Sequence, residues 1–352
     1  MKKILMKGNE ALAEGALLAG CHAFFGYPIT PSSEIAEYMA RKMPKLGRIF
    51  LQAESELAAI NMVYGASAAG KRVMTASSGP GISLKQEGIS FLAEAELPSL
   101  IVNISRGGPG LGGIQPAQSD YFQATRGGGH GDYRIIVLAP SGVQEMMDFA
   151  IKAFELADHY RIPVMIMAEG TLGQMMEPIV LRDPVTHVPD KPWATTGCYG
   201  RKPNIVNTLH LSPEFLEERN QHLSQKYQLI KKQEAKAETF MVEDADLVMV
   251  AFGLMSRIVK RAVMEARKQG LKVGLIRPVT LWPFPEKVFQ EAAKHASQFL
   301  AVEISMGQMV EDIRLAVNGR APVRFYGRIG MIPNPEEITS QIIEAAQGEG
   351  WE

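Results

Sequence analysis

AFFGYPITPSSEIAEYMARKM, residues 23 to 43, places an apolar run, a turn and a helix in immediate succession. Ala23 to Phe25 has strand character. Pro28 and Pro31 fix φ on either side of Thr30, and Ser32 or Ser33 is suited to cap a helix that continues through Glu34 to Met43. Thr30 is thereby placed at a helix N-terminus, where free N–H groups and the helix dipole favour an anion and the hydroxyl adds a donor. Taken alone, the stretch is as well explained as a plain strand-to-helix turn. Its meaning comes from its surroundings.

The same alternation continues on both sides. Lys3 to Met6 reads as a strand, and Glu10 to Ala19 as a helix closed by Gly20. Val73 to Ala76, Leu100 to Ser105, Ile135 to Leu138 and Pro163 to Met167 read as buried strands, with helices such as Val143 to Ala157 between them. Alternation of that kind predicts an α/β fold with a mainly parallel sheet covered on both faces. From about Asp183 the pattern fails. His187 to Pro213 is rich in Pro, Thr and Asn, and Pro213 to Thr239 reads as a charged, solvated helix. A second α/β unit starts near Asp246: LVMVAFG ends a strand at Gly253, a helix runs to Gln269, Val273 to Ile276 is the next strand, and three β-then-helix steps follow to Ala346. The expected organisation is a domain over residues 1–183, a linker with its helix over 184–240 and a second domain over 241–352. Gly253 lacks the full G-x-G-x-x-G spacing, so a plain Rossmann-like docking domain is favoured over a dinucleotide site.

Composition excludes several classes of function. The chain has 352 residues, 46% apolar and 21% charged, enough for two folded domains with sizeable cores, and its net charge of −1 offers no field for nucleic acid or an anionic membrane. Glu10 and Glu14 interrupt any signal-peptide core, and Glu14, His22 and Pro28 break the apolar stretch from Ala11 to Ile29 before it could span a bilayer. Cys21 and Cys198 give neither a disulfide framework nor the thiolates of an iron-sulfur cluster, which predicts a cytoplasmic location. The histidines show no metal-ligand spacing, so no metal is expected on this chain.

Two further residues stand out. Glu56, in QAESELAAINMVYGASAAG at 52–70, begins a helix whose Ala58, Ala59, Gly65, Ala66, Ala68 and Ala69 let another backbone or a flat ring approach closely. A glutamate at a helix start is commonly only a dipole-compensating surface group, and Glu54 is its competitor; spacing does not choose between them. Arg106 follows the apolar run Leu100 to Ile104, at the carboxyl end of a strand, where parallel sheets bind ligands and where a guanidinium can grip a carboxylate bidentately. The glycine-dense segment Gly107 to Asp132 reads as an active-site cover, a subunit contact or a mobile loop. Ser77 to Gly81, SSGPG, is a tight strand-to-helix turn with a weak claim to phosphate binding.

Together YPITPSSE, the Glu56 helix, TASSGPG, SRGGPG, Gln118-Ser119-Asp120, HGD at 130–132 and LIRPVTLWPFP at 275–285 resemble, in one order and over nearly the whole chain, the alpha subunit of thiamine diphosphate-dependent 2-oxoacid:ferredoxin oxidoreductases. The resemblance implies a pyrimidine-binding domain joined to a transketolase C-terminal-like domain. It implies that Glu56, nine residues before the family's helix glycine at Gly65, hydrogen-bonds the aminopyrimidine ring as a proton-bearing carboxyl, which chooses it over Glu54. Tyr27, Pro28 and Ile29 would line the cofactor, and Thr30 and Arg106 would hold the 2-oxoacid carboxylate. Oxidative decarboxylation to an acyl-coenzyme A, with electrons passing to ferredoxin, is the implied reaction.

One expected pattern is missing. No G-D-G with a downstream Asn is present to bind a magnesium diphosphate, and the Gly131-Asp132 pair continues with Tyr133. The resemblance therefore implies a beta subunit that brings the diphosphate site, Mg2+ and at least one 4Fe-4S cluster, with gamma and ferredoxin-like subunits alongside. The SRGGPG and linker pattern favours 2-oxoisovalerate as substrate. For 2-oxoglutarate, the alternative, a second cation is needed, with Lys85, Arg126 and Arg134 as candidates. A catalytically silent scaffold and a nucleotide-binding module built on the second unit are the readings from other classes.

Overall fold

A computed structural model describes residues 3–347. β1 (Lys3–Lys7) leads into α1 (Gly8–Leu18), β2 (Ala23–Gly26), α2 (Ser33–Lys42), β3 (Ile49–Gln52), α3 (Glu56–Ala68), β4 (Val73–Ser77) and α4 (Gly79–Glu94). Then come β5 (Ser99–Ser105), α5 (Tyr121–Arg126), β6 (Ile136–Leu138), α6 (Val143–Tyr160), β7 (Pro163–Glu169), α7 (Gly170–Gln174) and β8 (Met176–Val180). After an irregular stretch the chain forms α8 (Pro213–Glu234), β9 (Ala237–Phe240), β10 (Leu247–Val250), α9 (Met255–Lys268) and β11 (Val273–Pro278). It closes with β12 (Thr280–Trp282), α10 (Glu286–Ala292), β13 (Gln298–Glu303), α11 (Met309–Val317), β14 (Val323–Gly327) and α12 (Pro335–Ala346).

The first sheet has the order β12-β6-β7-β5-β4-β2-β3 and is parallel except at β12. β4, β5 and β7 are buried along their whole length, which is why they read as continuous apolar runs rather than as alternating patterns. β3 is the opposite case. It is the far edge strand, and Ile49 and Leu51 lie open to solvent on it. The second sheet, β14-β13-β10-β11-β9, is parallel except for β9. β1 joins neither; it pairs antiparallel with β8.

Two boundaries differ from the expectation. Ala237–Phe240 is not linker: α8 stops at Glu234, and the next residues form β9, which pairs with β11. Thr280–Trp282, within the expected second domain, crosses back and completes the first sheet against β6. The two sheets thus exchange an element.

α8 is also less solvated than its charge predicts. Pro213 starts it and the Ser212 hydroxyl accepts from the Phe215 amide, but Leu223, Tyr227 and Ile230, on one face at helical spacing, are buried. Tyr227 packs edge-on to Trp282 with ring centroids 5.8 Å apart. Arg219 and Lys226 reach Glu96 at 2.8 Å each, and against the cost of burial these cations hold the Glu96 carboxyl down at about 2. No helix among the described residues is long and apolar enough to cross a membrane.

Candidate active site

In a parallel sheet all strands deliver their following loops to one edge. Here the segments after β2, β3, β4 and β5 meet at the carboxyl edge of the first sheet, the place where such sheets bind ligands. The Ala53 amide donates to the Gly26 carbonyl at 2.9 Å and ties the approach to α3 against the end of β2. Glu56 then opens α3 under a cap in which the Ser55 hydroxyl accepts from the Ala58 amide at 3.1 Å. Glu56 is 7% exposed, whereas Glu54 is open to solvent. Burial therefore separates the two carboxylates that spacing left tied.

Room for that carboxyl is made by a glycine on the neighbouring helix. A Cβ on Gly81 would stand 2.7 Å from Glu56 Oε1 and 2.1 Å from Ser77 Oγ. The SSGPG turn thus has a role that its sequence did not reveal: it brings the start of α4 against Glu56. Around it lie buried polar atoms with no hydrogen-bond partner, namely Ser77 Oγ, Ser78 Oγ, Lys85 Nζ and Arg106 Nε. No hydrogen bond among the described residues ends on the Glu56 carboxyl. Buried groups of this kind are costly unless something else satisfies them, so the cluster fits a polar ligand or ring delivered from outside this chain. On the outer face of α3, a Cβ on Gly65 would meet nothing within 4 Å, which leaves the helix open to close approach.

Thr30 and Arg106 come together at the same edge, but not by the expected groups. Arg106 Nη1 donates to the Thr30 main-chain carbonyl at 2.9 Å and Nη2 to the Leu111 carbonyl at 2.8 Å. Arg106 is 8% exposed, while Thr30 lies in the open. Ser32 does not cap α2; its hydroxyl donates back to the Ile29 carbonyl at 2.8 Å and stiffens the turn instead. Tyr27 and Pro28 are exposed and Ile29 is half-buried, so these three line the mouth rather than the floor.

The glycine-dense segment divides in two. Residues 107–115 form a small loop closed by the Gly107 amide on Gln115 O at 2.8 Å, with Leu111 and Ile114 exposed at its tip. Residues 118–126 dock on the second sheet's domain: the Gln118 amide donates to Ile304 O at 2.7 Å, Tyr121 Oη to Asp312 at 2.6 Å, and Gln308 Nε2 to Ser119 O at 2.7 Å. Asp120 turns inward, accepting from Asn103 Nδ2 at 3.0 Å and Ser105 Oγ at 3.2 Å, and burial raises its carboxyl above the ordinary range.

Two helix starts of the second unit, those of α9 and α11, are already occupied by buried carboxyl groups. Both Glu169 oxygens accept from the Leu254 amide at 3.2 Å, just before α9, and Gly253 at φ +57° makes the approach possible. The Glu303 carboxylate accepts from the Gln308, Met309 and Val310 amides at the start of α11. This argues against nucleotide phosphate there. Of the cations weighed for a second carboxylate, Arg126 pairs with Asp312 at 3.1 Å, and Arg134 lines a surface cavity of about 470 Å³ beside Trp282 and Tyr227. Lys85 alone faces the site.

Residues 14–243 match the family model for "Pyruvate flavodoxin/ferredoxin oxidoreductase, thiamine diP-bdg", and residues 245–338 match "Pyruvate:ferredoxin oxidoreductase core domain II". The ketoisovalerate oxidoreductase subunit VorB of Methanothermobacter marburgensis is 55% identical, over 93% of this chain and 93% of its own length. The 2-oxoglutarate synthase subunit KorA of Methanothermobacter thermautotrophicus is 38% identical, over 97% of this chain and 99% of its own. Among solved structures, the 2-oxoglutarate:ferredoxin oxidoreductase from Magnetococcus marinus, with 2-oxoglutarate, coenzyme A and succinyl-CoA bound, superposes with a TM-score of 0.89 at 30% identity. The match covers 97% of this chain but 65% of that longer one. A split-gene transketolase, at a TM-score of 0.62 and 14% identity, shares the fold.

Proposed function

Since the chain belongs to the 2-oxoacid:ferredoxin oxidoreductases as an alpha-type subunit, we propose that it contributes the pyrimidine side of a thiamine diphosphate site that oxidatively decarboxylates a branched-chain 2-oxoacid, 2-oxoisovalerate, to its acyl-coenzyme A. The observation that carries this reading is Glu56: a buried carboxyl at a helix start, with no donor among the described residues and faced by Gly81, on the ligand-binding edge of the sheet.

Thiamine diphosphate, when bound, supplies the electron sink that lets a 2-oxoacid lose carbon dioxide. Glu56 would hold the aminopyrimidine ring by its carboxyl and would be the group that passes a proton to and from the ring nitrogen. Tyr27, Pro28 and Ile29 give the mouth of the site a stiff wall. The Thr30 hydroxyl and the remaining Arg106 donors, including the unpaired Nε, orient the substrate carboxylate. Leu111 and Ile114, exposed on the neighbouring loop, offer apolar surface for excluding water once a partner chain closes over it.

A beta subunit brings the diphosphate and magnesium in this reading, and clusters on partner chains carry electrons to ferredoxin. The branched-chain substrate is supported by the 55% identity to a ketoisovalerate subunit against 38% to a 2-oxoglutarate one. Cation placement does not separate the two acids: Arg126 is engaged with Asp312 and Arg134 lies in the surface cavity, but Lys85 faces the site.

Initial rates with 2-oxoisovalerate, 2-oxoglutarate and pyruvate, measured on this chain alone and with its beta subunit, test the proposal. Turnover by the lone chain, or preference of the complex for 2-oxoglutarate, ends it. Glu56→Gln in the complex is expected to lose roughly a hundredfold in rate, the scale of removing an acid-base group; near-normal activity would return the chain to a scaffold.

A further inference from the structure

Gly81, Lys85 and Gly88 stand at i, i+4 and i+7 on α4 and present one face to α3. A Cβ on Gly81 would lie 2.7 Å from Glu56 Oε1, and one on Gly88 would lie 2.6 Å from Ile60 Cγ2. Glu56 and Ile60 are likewise one turn apart on α3. Lys85 falls between these two contacts. It is 0% exposed, and its Nζ has no hydrogen-bond partner.

An ammonium in that position is costly, and an apolar side chain of similar length would pack there without penalty. The placement therefore calls for a use. Of the charged groups around α4, Glu56 on α3 is the one whose charge acts on Lys85, across the helix interface and without a hydrogen bond. Asp120 lies at the first turn of α4, near Gly79, and is held by Asn103 and Ser105. Glu169 on β7 is taken up by Leu254, Glu94 by Arg219, and Glu87 points to solvent. Burial pushes Lys85 down to about 8, with the Glu56 charge resisting the shift.

We propose that Lys85 is a positioning residue for Glu56, a buried cation that acts through that carboxyl on the proton it exchanges with the thiamine ring. The proposal rests on the thiamine-site reading given above. When the Glu56 oxygen gives up its proton, the carboxylate left behind faces a cation instead of bare helix surface. The O–H bond broken on one half of the cycle is restored on the other, and Lys85 changes only the ease of the exchange.

The test uses Lys85→Met, which keeps the stem and removes the charge, beside Glu56→Gln. On the full chain alone, chemical denaturation is followed against pH. The folded-state ammonium titrates near 8 and the unfolded one near 10.5, so wild-type stability rises between those values as the unfolded chain binds the extra proton. Lys85→Met is expected to be the more stable form below that window, with the difference shrinking across it. A difference that stays flat overturns the inference.

On the assembled complex loaded with thiamine diphosphate, hydrogen-deuterium exchange at the thiazolium carbon is read by NMR after acid quench. Lys85→Met is expected to slow exchange about tenfold and to remove the decline in rate that the wild type is expected to show as Lys85 loses its proton near 8. Cofactor affinity is expected to change by less than about threefold, or about 0.65 kcal/mol. If Glu56→Gln slows exchange while Lys85→Met leaves rate and pH profile at wild type, Lys85 is a structural residue and this inference fails alone. If neither substitution slows exchange, the thiamine-site reading fails and takes this one with it.

Discussion

Arg106 holds Thr30 by the main chain: Nη1 donates to the Thr30 carbonyl at 2.9 Å while Nη2 donates to the Leu111 carbonyl at 2.8 Å. One planar guanidinium thus fixes the distance between the turn after β2 and the loop after β5. A lysine, whose three donors share one nitrogen, cannot reproduce that planar fork. Arg106→Lys is therefore expected to reduce kcat/KM of the assembled enzyme by about a hundredfold, the scale of a misplaced binding group. The same variant should be cleaved faster by protease within residues 107–115, and steady-state kinetics with limited proteolysis check both outcomes.

The glycines on the two central helices should respond oppositely. Gly81→Ala forces a Cβ to 2.1 Å from Ser77 Oγ and 2.7 Å from Glu56 Oε1. Destabilisation of roughly 1–3 kcal/mol and displacement of Glu56 are expected. Gly65→Ala meets nothing within 4 Å and removes a flexible residue from a helix interior. It should stabilise the isolated chain by roughly 0.5–1 kcal/mol while weakening assembly, if a partner or ring packs on that face. Denaturation of the chain and titration with the beta subunit separate the two effects.

Glu169 gives the contact between the two sheets a pH dependence. Burial raises its carboxyl from 4.5 to about 7, although Gln118 and the Leu254 amide favour the charged form. An acid whose folded-state value is raised stabilises the fold fully below its unfolded value and loses that contribution as pH climbs through the folded one. Stability should accordingly fall between pH 4.5 and about 7. Glu169→Gln, which cannot ionise, should flatten that slope, a change on the order of 3 kcal/mol over the window. Urea denaturation at a series of pH values measures it.

Cutting the chain between residues 240 and 241 should not give two independent domains. The upstream piece would lose β12, exposing the edge of β6 and the ring of Tyr227 that Trp282 covers, and the downstream piece would lose β9 from β11. An uncovered edge strand invites aggregation. Separately expressed fragments should be insoluble or associate only when mixed, whereas the intact chain should show the packing of both sheets in one transition by far- and near-UV circular dichroism.

Much of the first sheet was legible because β4, β5 and β7 are buried on both faces, and unbroken apolar runs announce such strands. β3 was not, since Ile49–Gln52 is a short edge strand whose apolar residues face outward. At the site, the glutamate helix and the arginine after β5 were visible as residues in plausible places. Glu169 was not, and Gly81 and Lys85 were legible only as the end of a turn and as a candidate second cation, because each acquires its meaning from a residue on another element: Glu56 for Gly81 and Lys85, Leu254 for Glu169.

The sequence by itself determined the α/β alternation and the family, and its motifs nominated Thr30, Glu56 and Arg106 as candidates for the chemistry. These follow from local periodicity, turn chemistry and ordered motifs, which need no distant contact to be read. Only the tertiary structure decided that Glu56 rather than Glu54 is buried, that Arg106 grips Thr30 through its carbonyl, and that residues 280–282 complete the other sheet. The reason is physical: burial, donor geometry and strand exchange are properties of elements packed against one another, and the packing joins residues that are remote along the chain.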